Sequence, residues 1–344
     1  MKKLIVTSFY LIMFFAQLAY GREQSLWKEY KSHFITHDGR VIDYYQGQIG
    51  HSEGQGYGML LAVIYDDKNT FDRIWQWTKN NLQVRRDNLL AWCWGKRPNG
   101  EWDVIDYNNA TDGDILVAFA LLKVAKKWHD NHYQTEGLKI IKSIREKLAL
   151  NWEDRIFLLP GYYGFTKNGS LQLNPSYLIL PAYRCFAEVD KKNFWKKVHQ
   201  NARFLLSRAS FTSLHLPADW ITLNKTGVSI CTDKSHYFGY EAIRILLYLC
   251  WEERPQFPSG VKEIFKFYKK LHYIPLWVDL VNVSLSLRDA PAGFYAIYAR
   301  VAQRIGEETL SKELFEKAKE KLLTEKDNYY SFTLYLLAES KEIR

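Results

Sequence analysis

The sequence predicts an all-α protein, an (α/α)6 barrel of six helical hairpins closed into a ring, with short β hairpins in its loops. Three observations carry this. Apolar residues recur at spacings of three and four in twelve segments of the 344-residue chain. The extended pieces between them are short and bounded by turn signals, and the connections alternate between short and long, as a ring of paired helices requires. No Pro/Gly/Ser-rich linker divides the chain, and no stretch repeats at the fixed period of a solenoid. Residues 22–344 are therefore read as a single domain.

The first 21 residues carry Lys2 and Lys3, a charge-free apolar run over 4–16, and small residues ending at Ala19 and Gly21. This is the pattern of a secretory signal cleaved near Gly21, and the run is shorter than the ~20 residues that span a bilayer. It implies a periplasmic or secreted protein. Helices are expected over 27–34, 53–65, 70–82, 112–128, 135–150, 175–189, 192–209, 240–253, 259–271, 291–305, 308–323 and 330–340. Extended segments are expected over 39–45, 156–165 and 213–224, with turns at Pro160–Gly161 and Asn168–Gly169. The second helix starts oddly, in HSEGQGYGMLLAV. Ser52 and Gln55 have the spacing of a capping box, yet Gly54, Gly56 and Gly58 should each cost about 1 kcal/mol relative to alanine.

Composition, 47% hydrophobic and 25% charged, is that of a globular protein. The unusual figure is 16% aromatic: 12 Trp and 23 Tyr, many beside Gly, Asn, Asp or Pro, where rings often line clefts. A net charge of +9 is spread in small lysine clusters and forms no dense stripe, so nucleic acid is not expected as a partner. Cys93, Cys185, Cys231 and Cys250 show no metal-ligand spacing. Export permits disulfides, whose pairing is not legible, while Cys185 and Cys250 lie in apolar helical runs and read as buried thiols. The nine histidines form no HExxH pair, and no metal or other cofactor is expected. The glycine stretch lacks the preceding strand and the G-K-[ST] of a phosphate loop.

Chemistry concentrates in the long connections. Residues 89–114, LLAWCWGKRPNGEWDVIDYNNATDGD, hold Trp92, Trp94 and Trp102 and end in Asp112 and Asp114. Residues 235–251 place Glu241 and Arg244 three apart, on one side of a helix. In LNPSYLILPAY, Tyr177 falls in the first turn of a helix begun by Asn174 and Pro175. Taken singly, Asp112 is a helix cap, Glu241 and Arg244 a surface pair worth a few tenths of a kcal/mol, and Tyr177 a core residue. Together, Glu53, Asp112, Asp114 and Glu241 are carboxylates near the starts of helices that follow loops. Such acids among tryptophans and tyrosines suit glycosidic hydrolysis, in which sugar faces stack on rings and paired carboxyls move the protons.

The motifs DGRVID (38–43), SEGQGYGM (52–59), LLAWCWG, ATDGD (110–114), LLPG (158–161), LNPSY (173–177), PADW (217–220) and YEAIR (240–244) occur in order. On them the chain resembles glycoside hydrolase family 8, and most closely its endoglucanase branch, which accompanies bacterial cellulose synthase in the periplasm. The resemblance implies an (α/α)6 barrel that hydrolyses β-1,4-glucan with inversion, acting as a monomer on the polysaccharide and associated with the cellulose synthase complex. It makes Glu53 the general acid, Asp114 the sugar contact at the cleavage point, and Tyr177 a neighbour of the attacking water. The general base falls on Glu241, where the family's cellulase branch has an aspartate. Asp112, Arg244, Trp92, Trp94, Trp102 and Trp220 are the further expected substrate contacts. The glycines after Ser52 then read as clearance for backbone and sugar around Glu53. A xylanase or mixed-linkage glucanase of the same family, or a non-catalytic glucan-binding subunit, are the rival readings.

Overall fold

A computed structural model describes residues 24–340, so the expected signal segment lies outside the described residues. Within them are twelve α-helices: α1 (24–34), α2 (Ser52–Ile64), α3 (Lys68–Asn81), α4 (Thr111–Trp128), α5 (Asn131–Lys147), α6 (Leu180–Val189), α7 (Lys192–Arg208), α8 (Ile243–Cys250), α9 (Val261–Leu271), α10 (Ala292–Arg304), α11 (Glu308–Leu322) and α12 (Tyr329–Glu339). The even-numbered helices form an inner wall. Each touches the next, and α12 returns to α2, which closes the barrel.

The two layers follow from side-chain pattern. Inner α4 buries Ile115 through Leu122 without interruption, as a helix apolar all round must. Outer α9 buries only Val261, Ile264, Phe265 and Tyr268, a single stripe. The barrel is filled: Tyr57 on α2 hydrogen-bonds Tyr248 on the opposite helix α8, 2.5 Å between hydroxyls. The links α2–α3, α4–α5, α6–α7 and α10–α11 are two or three residues long. At the other end, where the inner helices begin, the connections are long and carry the small sheets. Residues 93–96 and 102–106 form a hairpin on the Gly50–His51 strand, where the sequence shows only a loop. Among the described residues no helix is long and apolar enough to cross a membrane, and all four cysteines are free.

Three local expectations fail for clear reasons. The cap of α2 is His51, whose Nδ1 accepts from Gly54 N at 3.0 Å; Gln55 instead turns inward, accepting from Val41 N at 2.6 Å and donating to Thr78 Oγ1 at 2.9 Å. The expected helix 175–189 is broken into a 3-10 turn, Pro175–Tyr177, and α6, because Pro181 has no N–H to bond the carbonyl of Tyr177 four residues back and its ring crowds that carbonyl, which allows Pro181 only in the first turn of a helix. Residues 240–242 form a turn, so Glu241 precedes α8.

The glycines of α2 serve packing and not a sugar. A Cβ on Gly56 would lie 2.6 Å from Leu116 Cβ, and one on Gly58 would lie 2.8 Å from Val41 Cγ2. Gly113 on α4 completes the contact: its Cβ would stand 2.1 Å from Ser52 Oγ and 2.8 Å from Glu53 N. The cost in helix propensity is offset by letting the first turns of α2 and α4 touch.

Candidate active site

A cleft of about 440 Å³ opens over the starts of α2, α4 and α8, lined by Glu53, Asp112, Glu241 and Arg244 together with Trp92, Tyr177 and Trp220. One side is built on helices. Ser52 N donates to Trp92 O at 2.9 Å as α2 begins, and α4 starts where Thr111 N meets Pro160 O at 2.9 Å. With Gly113 against Ser52, Glu53 and Asp112 become neighbours on adjacent first turns. No side chain caps α4: Asp112 Oδ1 accepts from Gly113 N at 2.9 Å while Oδ2 faces the cleft.

The other side is built on turns. Asn174 Oδ1 accepts from Ser176 N at 2.9 Å, and its Nδ2 donates to Glu241 Oε2 at 2.6 Å. Buried Asp219 ties the turn that carries Glu241: Oδ1 accepts from Gly239 N at 3.1 Å and Ala242 N at 2.8 Å, and Oδ2 from Ser235 Oγ at 2.8 Å. Burial pushes Asp219 up to about 6, against those hydrogen bonds. Neither Asn174 nor Asp219 was assigned from sequence, although both sit in quoted motifs. Asn before Pro is a turn-capping pattern that marks the first; no local signal marks the second.

Arg244 joins the two sides. Its Nη1 donates to Glu53 Oε1 and, at 2.9 Å, to Asp112 Oδ2; its Nη2 donates to Glu241 Oε2 at 2.5 Å and Ser176 Oγ at 2.9 Å. The buried guanidinium also lies 5.7 Å from the Tyr177 ring centroid. A planar fork of donors suits this role, which a lysine could not fill. Burial alone would lower its pKa, but the charges of Glu53 and Glu241 hold it well above the usual value. Burial, and then the charge of Glu53, push Asp112 up to about 7 although Arg244 pulls it down.

Three expected contacts lie elsewhere. Asp114 does not line the cleft. It is fully buried two residues beyond Asp112 on α4, accepting from Leu90 N at 2.8 Å and Asn109 Nδ2 at 2.7 Å, and burial raises it to about 8. Its role is to brace the loop before α4. Trp94 and Trp102 stack on each other, 5.2 Å between centroids at 26°, with the Arg40 guanidinium 4.9 Å from each ring. They close the 93–106 hairpin and leave the cleft to Trp92 and Trp220. Phe165, missed from sequence, lies parallel to Trp220 at 5.8 Å.

Two carboxylates on separate elements, joined by one guanidinium and flanked by rings, can donate and accept protons across a sugar. Ser176 Oγ, beside Arg244, is turned to Asn174 Oδ1, to which it donates at 2.6 Å.

Comparison with known proteins agrees with this architecture. An endoglucanase from Cellulomonas uda is 34% identical over 276 residues, covering 80% of this chain and 76% of the relative. An endoglucanase from Escherichia coli K12 is 30% identical over 324 residues, 91% of this chain and 85% of the relative. The crystal structure of a family 8 endoglucanase from Klebsiella pneumoniae superposes with a TM-score of 0.80 at 32% identity, covering 91% of this chain and 97% of that one. The model of the glycosyl hydrolases family 8 matches residues 1–342, and with the closed double ring of helices and the acid-lined cleft, the chain belongs to that family.

Proposed function

We propose that the protein is an endo-acting hydrolase of β-1,4-glucan that inverts the anomeric centre, with Glu53 as general acid and Glu241 as general base. The observation that carries this is the placement of Glu53 and Glu241 on opposite walls of one cleft, each held by a different nitrogen of Arg244. Glu53 gives its proton to the glycosidic oxygen as the C1–O bond breaks. Glu241 takes a proton from a water that attacks C1 from the opposite face. The hydrogen bonds from Asn174 and Arg244 to the Glu241 carboxylate both fall on Oε2, which leaves Oε1 for that water. An inverting pair needs a carboxyl separation of roughly 6.5–9.5 Å to admit it, and the one extra methylene of Glu241 relative to aspartate is small against that range.

Asp112, and not Asp114, is positioned to hold the sugar at the cleavage point. Tyr177 borders the base side, and Trp92 and Trp220 supply stacking faces. The name endoglucanase borne by the relatives supports a glucan substrate over xylan. The signal pattern at the N-terminus supports action in the periplasm or outside the cell, and the resemblance supports a monomer working beside cellulose synthase.

The test is proton NMR of the first products from a soluble β-1,4-glucan. The α-anomer should appear first, with a rapid fall in viscosity marking internal cleavage. First appearance of the β-anomer overturns inversion; binding without new reducing ends overturns catalysis.

A further inference from the structure

Trp220 and Phe165 form a floor on one side of the cleft, their planes within 4° of each other. Over it lies Lys234, with Nζ 4.3 Å from the Trp220 centroid and 5.1 Å from that of Phe165. Among the described residues no carboxylate pairs with this ammonium; adjacent Asp233 faces Lys167 at 3.4 Å. Its backbone is set by a turn, Lys234 N donating to Cys231 O at 3.1 Å.

The rest of the charge in the cleft is committed. Arg244 is shared among Glu53, Asp112 and Glu241, and Asp106 adds a further acid to the lining. Lys234 is thus the cation of the cleft held by rings alone. An exposed cation–π contact is worth about 0.5–1 kcal/mol, weak enough for a ligand to displace. A neutral sugar laid on Trp220 must move the ammonium and receives only its hydrogen bond in return. A sugar bearing a carboxylate or phosphate receives in addition the attraction of an exposed ion pair, about 0.2–1 kcal/mol.

We propose that Lys234 makes the Trp220–Phe165 floor a subsite for sugar units carrying an anionic substituent, so that the cleft favours anionic glucans over neutral ones. This rests on the glucan reading above. The experiment uses Lys234→Met, which keeps the apolar stem, and Lys234→Arg, which keeps the charge. Retardation of each protein is measured in native gels cast with carboxymethylcellulose, phosphorylated cellulose or neutral mixed-linkage glucan, alongside kcat/KM on the same polymers.

The anionic-to-neutral ratio, in binding and in kcat/KM, should fall about two- to fivefold in Lys234→Met, the size an exposed charge pair supports. It should be kept in Lys234→Arg, and the wild-type ratio should shrink in high salt. Loss confined to the carboxylated or to the phosphorylated polymer supports the proposal and names the group. An unchanged ratio in Lys234→Met overturns it. Binding without hydrolysis in the wild type overturns only the hydrolase reading, because the gels still report the subsite.

Discussion

The two walls of the cleft are made by different means. The acid wall is two α-helices whose first turns touch through Gly113 and Ser52, so Glu53 and Asp112 are placed by packing. The base wall is a 3-10 turn and a tight turn held by Asn174 and Asp219, so Glu241 is placed by polar side chains. Packed helices give a rigid position that tolerates no added atom. A hydrogen-bonded turn can be altered without unfolding the barrel, and its errors should show in catalysis first.

The largest effects should come from the carboxyls themselves. Glu53→Gln and Glu241→Gln are each expected to lower kcat on soluble β-glucan by about 10²–10⁴-fold, the contribution of general acid or base catalysis. Glu241→Asp should lose less than Glu241→Gln, since it keeps a proton acceptor; equal losses would break the assignment of the base. Next, Asp219→Ala should reduce kcat by up to about 10²-fold with little change in KM, as a small misplacement of a reacting group does, while the thermal melt stays single and cooperative. Gly113→Ala reverses the pattern, destabilising the fold by roughly 1–3 kcal/mol through overpacking, read as a lowered Tm. If Gly113→Ala melts like wild type, the two walls do not differ as described.

The smallest effect is in pH. Burial raises Asp219, Asp112 and Asp114 to about 6, 7 and 8. A raised folded-state pKa contributes stability that is complete below the ordinary carboxyl range and is lost as pH rises through the folded value. Asp43, Asp67, Asp87, Asp190 and Glu136 have partners that outweigh burial and are lowered, so their contribution is lost only in acid. Tm should therefore peak between about pH 4 and 6 and decline toward 8. A Tm that climbs steadily over that range would contradict the burial of the three acids.

The barrel was legible because helices of both rings announce themselves at three and four spacing, and the inner ones by apolar runs such as 115–122. Boundaries failed where a side chain reached beyond its own segment: Gln55 left its cap for Val41 and Thr78. The acid wall was half legible. Glu53 and Asp112 were visible as acids at helix starts, but a spacing of two on α4 turns Asp114 away from Asp112, and only the orientation of the helix decides which one meets the cleft. The aromatic contacts divided likewise. Trp92 and Trp220 line the cleft, whereas Trp94 and Trp102 meet each other across a hairpin whose pairing depends on residues eight apart. Asp219 acts on a turn more than twenty residues later, a relation no local pattern reveals.

The grip of Arg244 on three acids has an electrical consequence. One positive charge against three ionised carboxylates leaves a net −2 at the bottom of the cleft, with Asp112 and Arg244 almost wholly buried. Such an imbalance is costly in a medium that screens poorly. Burial and the charge of Glu53 raise Asp112 to about 7, so a proton taken up there as pH falls through that value relieves the imbalance. The charge at the foot of the acid wall therefore shifts near neutrality, where the paired acids Asp190 and Glu136 stay ionised.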